Sequence, residues 1–180
     1  MQTYIALLRG INVLGKNILP MKDLKSFLEK LGCKEVQTYI QSGNVVLKHD
    51  EKDVKVLTDK IKSAIKKNHG FEPNVMLLKK KDIQKVVANN PFPQVGENHK
   101  SLHVFFLERK ADRANFDKMN EIKTETEQFK LVDKFFYFYA PDGFGKSKLG
   151  DRAEKLLGVS ATARNWRTVK KIKEMIDEVR

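Results

Sequence analysis

The sequence predicts an α+β protein of two subdomains: an N-terminal ferredoxin-like split-βαβ unit (β-α-β-β-α-β) and a C-terminal β-α-β-β-α-α unit. Three observations predict it. Hydrophobic spacing switches repeatedly between the period of a strand and that of a helix. Residues 1–79 complete the order β-α-β-β-α-β. A proline- and asparagine-rich break, Asn89-Asn90-Pro91-Phe92-Pro93, then separates this run from a second mixed one. The division expected is 1–79, a helix and linker over 80–100, and 101–180.

The elements follow in order. Tyr4-Ile5-Ala6-Leu7-Leu8 is a short apolar run and reads as a buried strand. A polar, glycine-containing loop spans Arg9 to Leu19. Pro20 suits a helix start, and Met21, Leu24, Phe27, Leu28 and Leu31 recur at three- and four-residue spacing before Gly32 stops the helix. Val36, Thr38 and Ile40 alternate, Gln41-Ser42-Gly43-Asn44 turns, and Val45-Val46-Leu47 returns as a hairpin. Val54, Leu57, Ile61 and Ile65 mark a second amphipathic helix ending near Gly70, and Asn74–Leu78 is a fourth strand.

A short helix is expected over Asp82–Ala88. Leu102–Leu107 reads as a strand and 114–120 as a helix. Gln128–Val132 and Phe135–Ala140 form a hairpin turning at Asp133-Lys134. A glycine-rich loop over Pro141–Ser147 leads to a helix with Leu149, Ala153, Leu156 and Leu157, stopped by Gly158. The last helix carries Trp166, Val169, Ile172 and Ile176 on one face. The second half therefore resembles the first with its final strand lost or shortened.

Hydrophobic residues make up 41% of the 180, enough for a packed core. No stretch approaches the roughly 20 apolar residues of a membrane span, so no membrane partner is expected. The N-terminus lacks the basic and small-residue pattern of a signal peptide. Cys33 is the only cysteine, which excludes an internal disulfide and fits a cytoplasmic setting. The net charge of +12 attracts polyanions, nucleic acid or nucleotides among them. Most of that charge is lysine, which on solvated helix faces gives the same total without any ligand.

Topology brings polar residues together. In a split-βαβ sheet the first two strands run parallel and the hairpin reverses the third. The end of the first strand, the turn after the second and the start of the fourth near Asn74 therefore share one rim. That rim would hold Arg9, Asn12, Lys16, Asn17, Gln41, Ser42 and Asn44, beside the positive end of the first helix. These groups offer cations and neutral hydrogen bonds but no carboxylate or imidazole. They suit anion or polar-heterocycle binding rather than acid–base or metal chemistry. The competing reading has Asn and Gly serving positive-φ turns while Ser and Gln tie down loops. Arg9 is hardest to explain in that way.

A second possible anion site groups Lys146 and Ser147, at a helix start, with Arg164, Asn165 and Arg167. Ala140–Ser147 loosely resembles a phosphate-binding loop. Alanine replaces its first glycine, however, Pro141 removes a donor, and the preceding strand belongs to a hairpin. Ser147 as a plain helix cap competes with the anion role. Thr162 or Asn165 would cap the final helix. Trp166 is expected to anchor that helix, unless it is exposed and stacks on a base between its flanking arginines. His49, His69, His99 and His103 lack metal-ligand spacing and read as structural or surface residues. No cofactor is implied.

Ala6-Leu-Leu-Arg-Gly-Ile-Asn-Val, Lys16-Asn17, Met21 and Thr38-Tyr-Ile-Gln-Ser-Gly-Asn-Val-Val resemble the bacterial family known as domain of unknown function 1697. Ser147-Lys-Leu and Arg164-Asn-Trp-Arg-Thr-Val resemble it too. Leu14 and Ala163 depart from its usual glycine and threonine. The resemblance implies a two-part α+β fold with ferredoxin-like character and no assigned activity. Three functions remain in view. One is binding of a phosphate-bearing ligand at the rim. Another is a metal-independent enzyme holding an anionic small molecule in a closed pocket. The third is an interaction module that pairs through an edge strand, a homodimer included.

Overall fold

The computed structural model describes residues 1–95 and 100–179. His99 and part of the expected linker lie outside the described residues. The chain divides into two units, Met1–Lys85 with Lys171–Arg180, and Val86–Lys170. The sequence division kept 101–180 in one piece, whereas here the last ten residues group with the first unit.

In the first unit, β1 (Gln2–Arg9), α1 (Met21–Lys30), β2 (Lys34–Tyr39), β3 (Asn44–His49), α2 (Val54–His69) and β4 (Asn74–Lys79) follow the expected order. The sheet runs β2-β3-β1-β4, antiparallel throughout. Alternation along β1 sends Tyr4, Ala6 and Leu8 into a core with Leu24, Leu28, Leu57, Ile61 and Ile65 of the two helices. Ile5 and Leu7, on the opposite face, are buried as well. The Asp53 carboxylate caps α2 by accepting from the Lys55 N–H at 2.8 Å, and Gly70 closes the helix in the left-handed conformation. α3 (Lys80–Ala88) follows β4 directly.

In the second unit, β5 (Leu102–Leu107), α4 (Phe116–Ile122), β6 (Gln128–Val132), β7 (Phe135–Tyr139), α5 (Lys148–Leu157) and β8 (Ala161–Asn165) precede α6 (Trp166–Glu178). The hairpin turns at Asp133-Lys134 as expected, with Asp133 at φ 54°. Sheet order is β6-β7-β5-β8, the pattern of the first unit over again. The final strand is therefore present, which corrects the β-α-β-β-α-α reading to β-α-β-β-α-β-α. Ala161–Asn165 carries two alanines and one β-branched residue, too weak a pattern to read as a strand. Pairing with β5, from Ala161 opposite Leu107 to Asn165 opposite His103, makes it one. Phe105, Phe136, Phe138, Leu149, Ala153 and Leu157 form this unit's core.

Candidate anion-binding rim

The loop after β1 and the turn after β2 meet through Asn12. Its side-chain amide donates to Gln41 O at 2.8 Å and to Leu19 O at 3.0 Å, and its Oδ1 accepts from the Leu19 N–H at 2.8 Å. One side chain thus ties the hairpin turn to the residue preceding Pro20, just before α1. The positive end of α1 is held at the same rim. The backbone adds a bond from Leu8 N–H to Gly43 O at 2.8 Å. Gly43 sits at φ 78°, and a Cβ there would lie 2.7 Å from Leu8 Cβ and from Ile11 Cδ1. This close approach requires glycine for conformation and for space. Arg9 lies opposite Asn74, so the start of β4 joins the rim.

The loop is itself a small hairpin. Asn12 N–H donates to Asn17 O at 3.1 Å, and Lys16 N–H donates to Val13 O at 2.9 Å. Leu14 (φ 49°) and Gly15 (φ 74°) form its apex, the two-positive-φ turn that suits a tight hairpin. The Asn17 amide donates to Gly10 O at 2.8 Å. Asn44 is fully buried and donates to Tyr39 O and Ser42 Oγ, each at 3.0 Å.

All seven rim residues thus come together, but they divide in role. Asn12, Asn17 and Asn44 have their amides spent on backbone and turn groups, so they build the rim. Arg9, Lys16, Gln41 and Ser42 are exposed on it. Arg9 alternates with Leu8 along β1, so its side chain leaves the sheet on the face away from α1 and α2. Sequence reasoning missed the rim's apolar members, Val13, Leu14, Ile18 and Ile40, all exposed. Their signal was present as aliphatic residues between the glycines and asparagines of two turns.

The second set does not converge. Phe144 stacks on His103 with ring centroids 3.9 Å apart, which puts the 141–147 loop on the helix-bearing face of the second sheet. Arg164 pairs opposite Val104, one residue out of phase with His103 and Phe105, and so belongs to the other face. Ser147 is buried, and its Oγ accepts from the Gly150 N–H at 2.9 Å as the cap of α5. Asn165, not Thr162, caps α6 by accepting from the Thr168 N–H at 2.9 Å. The Arg164 guanidinium donates to Ala163 O at 2.9 Å, and burial draws its pKa down to about 10. Trp166 is 7% exposed and unavailable for stacking on a base. Lys146 and Arg167 remain exposed. β7, which leads into the 141–147 loop, is antiparallel to both its neighbours and so lacks the parallel sheet of a phosphate-binding loop.

Elsewhere, burial raises the Cys33 thiol to about 11, which leaves it protonated and inert. His49 Nδ1 accepts from the Glu51 N–H at 2.8 Å and its Nε2 faces Leu31 O at 3.1 Å, a structural brace. His69 packs edge-on against Phe27 and Phe71 and lies 3.5 Å from Asp23. Clefts of about 600 Å³ along α2 (Val56, Lys60, Ala64) and, in the second unit, about 370 Å³ beside β6 (Phe92, Gln128, Phe129) are lined by none of the rim residues. Among the described residues, no helix is long and apolar enough to cross a membrane.

The rim is built from the segments that carried the sequence resemblance, Arg9–Asn17 and Gln41–Asn44. The family model for DUF1697, proteins of unknown function, matches residues 1–137. The chain belongs to this family. Among solved structures it is similar to the conserved bacterial protein SP0830 from Streptococcus pneumoniae. The identity is 23%, the TM-score is 0.76, and the match covers 97% of this chain and 98% of that one. At that identity the likeness speaks for the fold. A search of curated proteins found no match. In this DUF1697 member the Asn12–Gln41 bond joins two segments that both lie within the matched residues.

Proposed function

We propose that the chain binds a phosphate-bearing ligand, a nucleic acid or a nucleotide, at the rim shared by the β1 loop and the β2–β3 turn. One observation carries the reading. The Asn12–Gln41 bond assembles a surface that presents Arg9, Lys16, Gln41 and Ser42. Neither 9–19 nor 40–44 contains an aspartate or glutamate. Arg9 and Lys16 supply charge, Gln41 and Ser42 supply neutral hydrogen bonds, and the positive end of α1 adds to the field. The net charge of +12 raises the local concentration of any polyanion. A rim of exposed side chains supports an open binding surface over the closed pocket an enzyme acting on a small anion needs. The lone buried thiol fits a cytoplasmic setting.

Fluorescence anisotropy with labelled single-stranded RNA and DNA at about 50 mM salt tests the proposal, because phosphate contacts weaken steeply as salt rises. Binding that falls with salt and with Arg9→Gln is the expected result. Absence of binding to either polymer, together with no shift on nucleotide titration, would overturn it.

A further inference from the structure

Among the described residues, four of the seven large hydrophobic side chains left exposed lie on this rim, while Met1, Val56 and Phe116 are scattered singly. Leu14 is 94% exposed, Val13 54%, Ile18 53% and Ile40 50%, and all four belong to the two turns that Asn12 joins. Leu14 stands at the apex of the Val13–Lys16 hairpin, in a left-handed conformation that costs a leucine energy. The Asn12 and Asn17 amides hold that hairpin in shape. The four aliphatic side chains form a pre-shaped apolar crown, with Lys16 in the hairpin that carries Leu14.

We infer that this crown seats on the surface of an anionic phospholipid bilayer, with Leu14 entering the acyl boundary while Lys16, in the same hairpin, meets the lipid phosphates. The inference rests on the phosphate-binding character proposed for the rim and takes lipid phosphate as the group met there; partition onto anionic vesicles without RNA or nucleotide binding would overturn the nucleic-acid reading and support this one. Three features choose the occupant. The crown is aliphatic and offers no ring on which a base can stack, so nucleic acid gains nothing from it. Its hairpin carries Lys16, and neither turn contains a carboxylate, which fits a negative surface. A symmetric second copy would set its own Lys16 against this one, placing like charges beside the contact. A bilayer interface satisfies the apolar apex and the cationic flank together, since lysine and arginine keep their charged ends at the headgroups while apolar groups sink below. No membrane-crossing segment is needed for attachment of this kind.

Vesicle co-sedimentation tests it, using equal parts phosphatidylglycerol and phosphatidylcholine against pure phosphatidylcholine. The protein is expected to partition onto the anionic vesicles. Leu14→Asp should lower that partition at least tenfold without loss of fold, because the side chain touches solvent. Lys16→Gln should lower it about fivefold, the effect of one cation at a charged surface. Lys55→Gln removes the same charge from the start of α2, at the end of the first unit opposite the rim, and serves as control. If it weakens partition as much as Lys16→Gln does, or if Leu14→Asp is silent, the attraction is diffuse charge and the inference fails. Failure to partition, alongside salt-sensitive RNA binding, removes the lipid inference and leaves the rim reading intact; loss of both removes both. A dimer in solution that Leu14→Asp dissociates would assign the crown to a second copy instead.

Discussion

The Asn12 side chain spans 29 residues of sequence to donate to the Gln41 carbonyl at 2.8 Å, and in doing so makes one rim out of two turns. Its other bonds, to both backbone groups of Leu19, hold the approach to the first helix. Three hydrogen bonds and a φ of 53° all meet in one asparagine. Asn12→Ala should therefore destabilise the chain by about 2–3 kcal/mol, from the missing bonds and the left-handed strain. Asn12→Asp keeps the acceptor and loses both donors, so it should recover only part. Urea unfolding followed by circular dichroism measures both.

Two glycines on this rim should behave differently. Gly43→Ala puts a Cβ 2.7 Å from Leu8 and Ile11, atoms fixed in the core, and should cost about 3 kcal/mol or more. Gly15→Ala, at φ 74° with nothing within 4 Å, should cost only the backbone strain of about 1 kcal/mol. Thermal unfolding of the pair separates steric overlap from conformational preference. Equal losses would contradict the close packing at Gly43.

His103 makes stability depend on pH. The ring stacks on Phe144, its Nδ1 is buried without a partner, and burial lowers its pKa to about 4 from 6.5. Between those values the unfolded chain binds a proton that the folded chain refuses. Stability is therefore full above about pH 6.5 and falls as pH drops toward 4, by about 3 kcal/mol from this group. His103→Phe should flatten that part of the profile in chemical denaturation across the range.

Polynucleotide affinity should track the exposed cations of the rim. Arg9→Gln combined with Lys16→Gln should reduce the slope of log affinity against log salt by about 1.4 on a single strand, roughly 0.7 for each phosphate that is no longer neutralised. Lys55→Gln, at the end of the first unit opposite the rim, should leave that slope nearly unchanged. Anisotropy titrations at several salt concentrations read both.

Ser147→Ala should lower stability by about 1–2 kcal/mol, since its buried hydroxyl caps α5 through the Gly150 N–H at 2.9 Å. It should leave polyanion binding untouched. A loss of binding without a loss of stability would instead restore the second anion site.

Most of the architecture was legible because it rests on period. The three- and four-residue spacing of Met21, Leu24 and Leu28, and the alternation through Tyr4, Ala6 and Leu8, each mark the face that meets the core. The crossover order then required the Arg9–Asn17 loop and the Gln41–Asn44 turn to share a rim, and they do. β8 escaped because Ala161 and Ala163 are small and its strand character comes from its partner β5. The second anion set looked coherent only along the chain. The pleat of the second sheet sends Arg164 to one face while Phe144 keeps the preceding loop on the other.

By itself the sequence determined the elements, their order, the basic charge and the meeting of two turns, since periodicity and strand direction are local or topological properties. Only the tertiary structure decided which polar side chains build the rim and which face water. Asn12, Asn17 and Asn44 are chemically as fit to hold a ligand as Gln41. Their roles depend on which backbone groups folding leaves within about 3 Å of them, and that distance is set by packing between residues far apart in the chain.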